Sequence, residues 1–174
     1  MLDFFKKIIG YFDSHQIPYM LSGSIAMGQY IVPRATKDID FVIHLQPQDI
    51  DGFVNYFEGD YYCSRDAVAD AITRQSLFNI IDHRSGYKAD FVILKNDEYR
   101  LTEFGRKRQM TFYGAAINVV SPEDLLISKL IWIQGLQSAV QMEDIKNLAL
   151  CEGLEQDYIN YWITKLKLNT FNLL

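Results

Sequence analysis

The sequence predicts an α/β (α+β) fold with a mixed, mostly antiparallel sheet flanked by helices. Over residues 1–120, short runs of β-branched and aromatic residues alternate with segments of helical spacing. Over residues 121–174 only helical spacing recurs. With 49% hydrophobic and 14% aromatic residues, the 174-residue chain can bury a substantial core. We therefore expect a core formed by residues 1–120 and a C-terminal helical segment, residues 121–174, packed on it.

The charge and the cysteine content of the chain argue against several classes of protein. The formal net charge of −5 argues against nonspecific duplex binding through a broad basic face. No apolar run approaches the roughly 18 residues that a membrane span needs, and we expect no membrane partner. The N-terminal run predicts a first helix rather than a signal peptide. Two scattered cysteines give neither a zinc site nor a disulfide framework, so we expect a cytoplasmic protein.

The first part of the chain predicts helix, strand and short helix in that order. Apolar residues at helical spacing predict a first helix that ends near Ser14. Pro18 precedes an apolar strand, "YMLSG", that ends at Gly23. Ser24 can cap a short helix through "IAMGQY", and Pro33 prevents that helix from continuing.

The middle of the chain adds strands and helices to this core. The run "DIDFVIHL" predicts a strand, and Asp49 begins a helix after it. A second short helix, "RDAVADAITR", precedes an antiparallel pair, "SLFNIIDH" and "YKADFVIL", that turns at residues 84–86. Two more strands flank Gly114, and the C-terminal helices begin with Ser121 as a cap and Pro122 at the first helical position.

Two aspartates at the start of a strand are the first candidate site. Because strand residues alternate faces, Asp38 and Asp40 point to one side, about 7 Å apart, and Ile39 to the other. Magnesium prefers oxygen ligands of this kind. Asp90 leads a similar apolar run, "YKADFVIL", and would complete a cluster of three carboxylates if the two strands are neighbours. Taken alone, each aspartate also fits a solvated strand start.

A glycine and a serine before a short helix are the second candidate site. Gly23 lets the backbone approach a ligand closely, and Ser24 offers a hydroxyl donor beside free helix N–H groups. This arrangement suits the phosphates of a nucleotide, although a Gly-Ser pair alone is most often a simple turn. A metal site beside a phosphate site would suit phosphoryl or nucleotidyl transfer.

The order of these motifs resembles the nucleotidyltransferase superfamily that shares the palm of DNA polymerase β. The resemblance rests on the run 21–24, thirteen intervening residues, the Asp-x-Asp of residues 38–40, and Asp90. The loop "PRATKDIDFVI" is similar to bacterial and archaeal nucleotidyltransferase-like proteins that include abortive-infection toxin-type members. The C-terminal runs "SPEDLLISKLIW" and "QMEDIKNLAL" are also similar to this group.

The resemblance implies metal-dependent transfer of an NMP from an NTP to a hydroxyl acceptor, which is an RNA, a protein or a small molecule. It implies two Mg²⁺ ions, or Mn²⁺, and roles for the following residues. The catalytic and metal-binding residues would be Asp38, Asp40 and Asp90; the nucleotide-binding residues would be Gly23, Ser24, Arg34, Thr36 and Lys129. A toxin–antitoxin or phage-defence setting, with a cognate toxin or antitoxin partner, would follow from the same resemblance.

Several of these residues have simpler explanations. Lys129 fits a solvated helix lysine as well as a phosphate ligand, and Arg34 fits a structural salt bridge. The aromatic run "DYINYWITKL" is more typical of packing than of base stacking. The basic run 106–108 favours a charged strand edge over a nucleic-acid contact.

Two rival functions use the same residues. A catalytically silent nucleotide-binding or antitoxin-type module would keep the fold, although it has no need of intact aspartates. A metal-dependent nuclease would also cluster carboxylates, although it has no need of Gly-Ser before a helix.

Overall fold

A single seven-stranded sheet organises the chain. The computed structural model describes all residues 1–174. The sheet order is β3-β4-β5-β2-β1-β7-β6. The strands are β1 (Tyr19–Ser22), β2 (Asp38–Ile43), β3 (Tyr61–Tyr62), β4 (Leu77–Asp82), β5 (Lys88–Ile93), β6 (Arg108–Phe112) and β7 (Ala115–Val119).

Eight helices surround the sheet. They are α1 (Leu2–Ser14), α2 (Gly23–Met27), α3 (Ile50–Phe57), α4 (Arg65–Arg74), α5 (Glu98–Gly105), α6 (Pro122–Gly135), α7 (Ala139–Ala149) and α8 (Gln156–Lys165). None of them combines the length and the apolar character that a membrane crossing requires.

The predicted fold class is confirmed. Four strand pairs are antiparallel, and two, β1 with β7 and β2 with β5, are parallel, so the sheet is mixed. The helix ending at Ser14 and the cap at Ser121 lie where the sequence predicts them. The prediction missed strand β3 and helix α5.

One face of the sheet carries an aromatic core. Phe41 on β2 and Phe91 on β5 are both fully buried and stack with ring centroids 5.7 Å apart and an interplanar angle of 10°. Phe12 of α1 meets both rings edge-on, and Phe53 of α3 meets Phe91 edge-on. These contacts hold α1 and α3 against this face. The aspartates of β2 and β5 therefore lie on the opposite face of the sheet.

We expect the substitution Phe91→Ala to lower the free energy of unfolding by about 3–5 kcal/mol, because it leaves a cavity among rings that cannot close over it. Urea denaturation measures this change. The matched control is Leu77→Ala on the adjacent strand, where the side chain is 49% exposed; we expect a change of about 0.5 kcal/mol or less. Equal losses in the two variants would contradict the assignment of the core to this face.

Candidate active site

A cleft of about 790 Å³ lies over the polar face of the sheet. Its walls include residues of β2, β4 and β5 together with residues of helices α5, α6 and α7. Gly23, Ser24 and the three aspartates line it, as does Lys129 from α6. The two candidate sites predicted from the sequence thus open into the same cavity.

The pairing of β2 with β5 brings the three aspartates together. The strands are parallel, with Asp40 directly opposite Asp90 and Asp38 opposite Lys88. Residues Ile39, Phe41 and Ile43 alternate with the aspartates and are buried on the other face. The alternation expected for "DIDFVIHL" is therefore present. Because paired strands lie about 4.8 Å apart, Asp40 and Asp90 are close neighbours.

Burial and charge repulsion act together on Asp40. Burial raises the pKa of its carboxyl group above the ordinary value, and the negative charges of Asp90 and Asp38 raise it further. Lys129 and Lys88 oppose this shift only in part. The negative charge of Asp40 is therefore less favourable in the folded protein than in the unfolded chain.

Lys88 partly neutralises the cluster. Its Nζ lies 2.8 Å from Oδ2 of Asp90 and 3.8 Å from Oδ1 of Asp38. The hydrogen bond to Asp90 raises the pKa of Lys88, so the ammonium stays charged. Sequence analysis missed this residue, although its position two residues before Asp90 places both side chains on one face of the strand.

The three carboxylates are suitable ligands for a divalent cation, but their side chains are not arranged in coordination geometry. No group of three His, Cys, Asp or Glu side chains is arranged to hold a metal ion. The Oδ1 atom of Asp90 is buried without a hydrogen-bond partner, which is an unfavourable state for a carboxylate oxygen. Mg²⁺ or Mn²⁺ bound by this oxygen and by the two neighbouring carboxylates would supply the missing partner.

Gly23 fits against the cluster because it has no side chain. It begins α2 immediately after β1, with φ of +62°, a conformation that favours glycine. A Cβ atom at this position would lie 1.9 Å from Oδ2 of Asp40. There is thus no room for a side chain between the Gly-Ser turn and the Asp40 carboxylate.

Arg34 and Lys129 meet at a carboxylate that sequence analysis missed. Asp144 of α7 is 3% exposed and accepts hydrogen bonds from Nε and Nη2 of Arg34, both at 3.1 Å, and from Nζ of Lys129 at 2.9 Å. Burial works to raise the pKa of Asp144, but these hydrogen bonds outweigh it and lower the pKa. One signal was available: Asp144 lies one helical turn before the buried Leu148, on the apolar side of α7.

The same network reaches the Gly-Ser turn. Nη2 of Arg34 donates a hydrogen bond of 2.6 Å to Oγ of Ser24, whose side chain is buried. Lys129 is 6% exposed and also donates to Oε1 of Gln141 at 2.9 Å. Arg34 therefore makes the salt bridge that was its simpler explanation, and Lys129 is not a solvated lysine. Both cations remain beside the cleft.

Thr36 holds the loop before β2. Its Oγ1 accepts a hydrogen bond of 3.2 Å from the backbone N–H of Asp38. Thr36 thus fixes the chain at the first aspartate of the cluster.

The basic run 106–108 is not a free nucleic-acid surface. Arg106 pairs with Asp124 at 3.2 Å and with Glu155 at 2.7 Å, and Arg108 pairs with Glu123 at 3.1 Å. Glu123 and Asp124 are buried in the first turn of α6. The run lies at the edge strand β6, as expected, but its arginines anchor α6 rather than face solvent unpaired.

Tyr158 and Trp162 of the aromatic run in α8 pack, as expected, whereas Tyr161 is 53% exposed. Trp162 is 3% exposed and meets Tyr99 edge-on, and the hydroxyl of Tyr158 donates a hydrogen bond of 2.6 Å to Asp124. These contacts join α8 to α5 and α6.

Another buried acidic residue, Glu103, lies in the cleft wall. Glu103 of α5 is 1% exposed and accepts hydrogen bonds from Arg100 and Ser128. Its hydrogen-bonding capacity is met within the protein, which indicates a structural role. Sequence analysis missed it because it missed α5.

Comparison with solved structures identifies the fold. The chain superimposes on the antibiotic-resistance factor ANT(2'')-Ia in solution with a TM-score of 0.61 and 12% identity, covering 94% of this chain and 89% of that one. The crystal structure of ANT(2'')-Ia with adenylyl-2''-tobramycin gives 0.61 and 13%, covering 95% of both chains. Lincomycin-bound LnuA, a lincosamide antibiotic adenylyltransferase, gives 0.54 and 14%, covering 82% of this chain and 92% of that one.

These neighbours establish that the chain has a nucleotidyltransferase fold, which confirms the predicted resemblance at the level of the fold. No protein-family model matches the sequence, and comparison with curated proteins finds no match. At 12–14% identity the likeness is one of fold alone.

We expect Gly23→Ala to destabilise the protein more than Gly114→Ala. Both glycines have positive φ, but Gly114 has open space around its Cα whereas Gly23 faces Asp40. Backbone strain alone costs about 1–2 kcal/mol, and the collision should add about 1–3 kcal/mol at Gly23. Urea denaturation compares the two variants. Equal costs would show that the turn does not press against the cluster.

We expect Asp40→Asn to stabilise the protein in metal-free buffer at pH 7. Because folding raises the pKa of Asp40, the charged form costs stability above that raised pKa, and the cost disappears below the unfolded value of about 3.9. The melting temperature should rise by about 2–4 °C for each kcal/mol relieved, and the gain should shrink as the pH falls towards 4. Glu58→Gln, at an exposed carboxylate outside the cluster, is the control. A variant less stable than wild type at pH 7 would contradict the repulsion.

Proposed function

We propose that the chain is a nucleotidyltransferase that transfers an NMP from an NTP to a hydroxyl group of a small molecule and releases pyrophosphate. The observation that carries the proposal is the register of β2 and β5, which sets Asp40 opposite Asp90 next to the Gly23 turn. Two proteins of similar fold add support, because ANT(2'')-Ia was crystallised with adenylyl-2''-tobramycin and LnuA is a lincosamide antibiotic adenylyltransferase.

The chemistry requires an acceptor, a phosphate cradle and a charge-neutralising group. The acceptor oxygen attacks the α-phosphorus, the bond from that phosphorus to the bridging oxygen of the β-phosphate breaks, and pyrophosphate leaves with the bond's electron pair. Asp90, besides completing the metal site, is the carboxylate assigned to help accept the hydroxyl proton, the role that the family resemblance implies. Mg²⁺ or Mn²⁺, held by Asp38, Asp40 and Asp90, would neutralise phosphate charge when bound.

The phosphates are assigned to the part of the cleft beside the Gly-Ser turn, next to the carboxylate cluster. Gly23 allows close backbone approach, and Ser24 carries a hydroxyl already oriented by Arg34. Asp144 holds Arg34 and Lys129 side by side, so two positive charges are positioned before a nucleotide arrives. Preorganised charge of this kind is worth more in a partly buried site than in water. Thr36 contributes by fixing the loop that leads into Asp38.

Cleft size and surface charge favour a small-molecule acceptor over RNA. The volume of about 790 Å³ is on the scale of small-molecule sites, roughly 300–1,000 Å³. The net charge is −5, and Arg106 and Arg108 of the one dense basic run are paired with carboxylates. A phosphate backbone would therefore find few free cations to bind.

Several broader assignments accompany this proposal. Residues 1–120 form the proposed catalytic core, and the proposed C-terminal segment, residues 121–174, adds Lys129 and Gln141 to the cleft wall. We also propose a cytoplasmic location, which the two free cysteines support. A toxin–antitoxin or phage-defence setting, with a cognate protein partner, is the hypothesis suggested by the sequence resemblance.

One observation favours a second candidate, a nucleotide-binding module without catalysis. The ammonium group of Lys88 lies between Asp38 and Asp90, in the space that a cation would need. If this ion pair were permanent, the cluster would be a structural salt bridge. The two candidates differ in whether NTP is turned over.

The test is incubation of the protein with each α-labelled NTP, Mg²⁺, and in separate reactions tobramycin, lincomycin, total cell RNA or total cell protein. We expect label on a small hydroxylated compound and release of pyrophosphate. The variant Asp38→Asn with Asp40→Asn keeps side-chain size and should reduce transfer by about 100-fold or more. The control, Asp51→Asn, removes an exposed carboxylate on α3, which packs on the opposite, aromatic face of the sheet, and should not change transfer.

Each other outcome has a definite meaning. Label on RNA or protein would overturn the small-molecule acceptor, and NTP-independent RNA cleavage would favour a nuclease. Nucleotide binding without turnover would favour the silent module. Transfer that survives in the double variant would show that the carboxylate site is wrong.

A further inference from the structure

Lys88 is the one cation that contacts the carboxylate cluster from within the sheet. It is opposite Asp38 in the β2–β5 register and two residues before Asp90, so all three side chains share one face. Its Nζ is 2.8 Å from Asp90 and 3.8 Å from Asp38. The ammonium therefore bridges two strands at the place where three negative charges meet.

The other lysines at the cleft cannot take this role. Lys129 is buried, and its ammonium is held by Asp144 and Gln141. Lys95 lines the cleft but forms no ion pair, and it is exposed. Only Lys88 both contacts the cluster and is free to leave it. Its side chain is 36% exposed, and its ammonium group is at the end of a flexible four-carbon stem.

Lys88 neither pairs with every carboxylate oxygen of the cluster nor balances its charge. It contacts Oδ2 of Asp90, whereas Oδ1 of the same carboxylate is buried without a partner. One monovalent ammonium also cannot balance three carboxylates. A divalent cation would offer more charge and more coordination positions, so it can compete for these oxygens.

We propose that Lys88 is an exchangeable counter-ion of the cluster, which bridges Asp38 and Asp90 without metal and is displaced when a divalent cation binds. This inference rests on the proposed metal-dependent function. Metal binding must break the ion pair, so Lys88 lowers the intrinsic metal affinity of the site. A bound triphosphate offers the displaced ammonium a new anionic partner. Nucleotide should therefore strengthen metal binding more when Lys88 is present.

The test measures Mn²⁺ binding by the EPR signal of free Mn²⁺, without any turnover. In the absence of nucleotide, Lys88→Met should bind Mn²⁺ about tenfold more tightly than wild type, within the range by which groups around metal ligands change affinity. Lys95→Met is the matched control, since it removes a cleft lysine that touches no carboxylate, and should bind as wild type does. Adding a non-hydrolysable ATP analogue should narrow the difference between Lys88→Met and wild type.

Unchanged or weaker Mn²⁺ binding by Lys88→Met would overturn the inference, because Lys88 would then support the ligands rather than compete for them. Should Lys88→Met fail to fold, NMR of the wild-type protein decides the question. The ¹³Cε resonance of Lys88 should move on addition of Mg²⁺ while that of Lys129 should not. A Lys88 resonance that stays fixed while Mg²⁺ binds would equally overturn it.

The inference and the proposed function fail in different ways. If wild type transfers label from NTP and binds Mn²⁺, but Lys88→Met binds it no more tightly, only the role of Lys88 is wrong. If neither wild type nor Lys88→Met binds Mn²⁺, the metal-dependent function is wrong and the role of Lys88 is wrong with it.

Discussion

The pairing register of β2 with β5 is the constraint on which the rest of the structure depends. It places Asp40 opposite Asp90 on one face and Phe41 opposite Phe91 on the other. A slip of one residue would turn the carboxylates into the aromatic core and the rings into the cleft. The apolar face therefore fixes the geometry of the charged face. This coupling explains how the fold can keep three repelling carboxylates together: the core stacking and packing oppose their separation.

The C-terminal helices contribute buried charge to the same cleft. Arg106 and Arg108 anchor the start of α6 through Glu123 and Asp124. Farther along, Asp144 on α7 receives Lys129 of α6 and Arg34 of the loop before β2. Buried ion pairs add little net stability, but removal of one partner is costly, so they specify one arrangement of the helices. The arrangement they specify holds Arg34 against Ser24 and Lys129 in the wall of the cleft.

The sequence predicted the features that depend on local pattern. The alternation of Asp38, Ile39 and Asp40 determines which side chains share a face, and the similar run around Asp90 correctly indicated a neighbouring strand. The Gly-Ser turn was also visible, since only a residue without Cβ suits the close approach at Gly23. These inferences need nothing beyond strand periodicity and the steric properties of glycine.

The sequence could not predict the features that depend on distant partners. Asp144 lies 110 positions from Arg34, and only the packing of α7 brings them together. The contact of Lys88 with Asp38 requires the parallel register between strands separated by two helices and two strands. Helix α5 was missed because "EYRLTEFG" has few apolar residues; tertiary contacts, including that of Tyr99 with Trp162, hold it in place. Local propensity gives little information about such segments.

The central claim is that the β2–β5 register creates a cation site shared with a triphosphate. A crystal structure with Mn²⁺ and a non-hydrolysable NTP analogue tests it most directly, because the anomalous signal of manganese locates the ion independently of any assumed chemistry. The account predicts an anomalous peak within coordination distance of Asp40 and Asp90, the triphosphate against the Gly23–Ser24 turn, and the ammonium of Lys88 moved away. Nucleotide bound in the cleft with Lys88 still between Asp38 and Asp90, and with no manganese at the carboxylates, would contradict it.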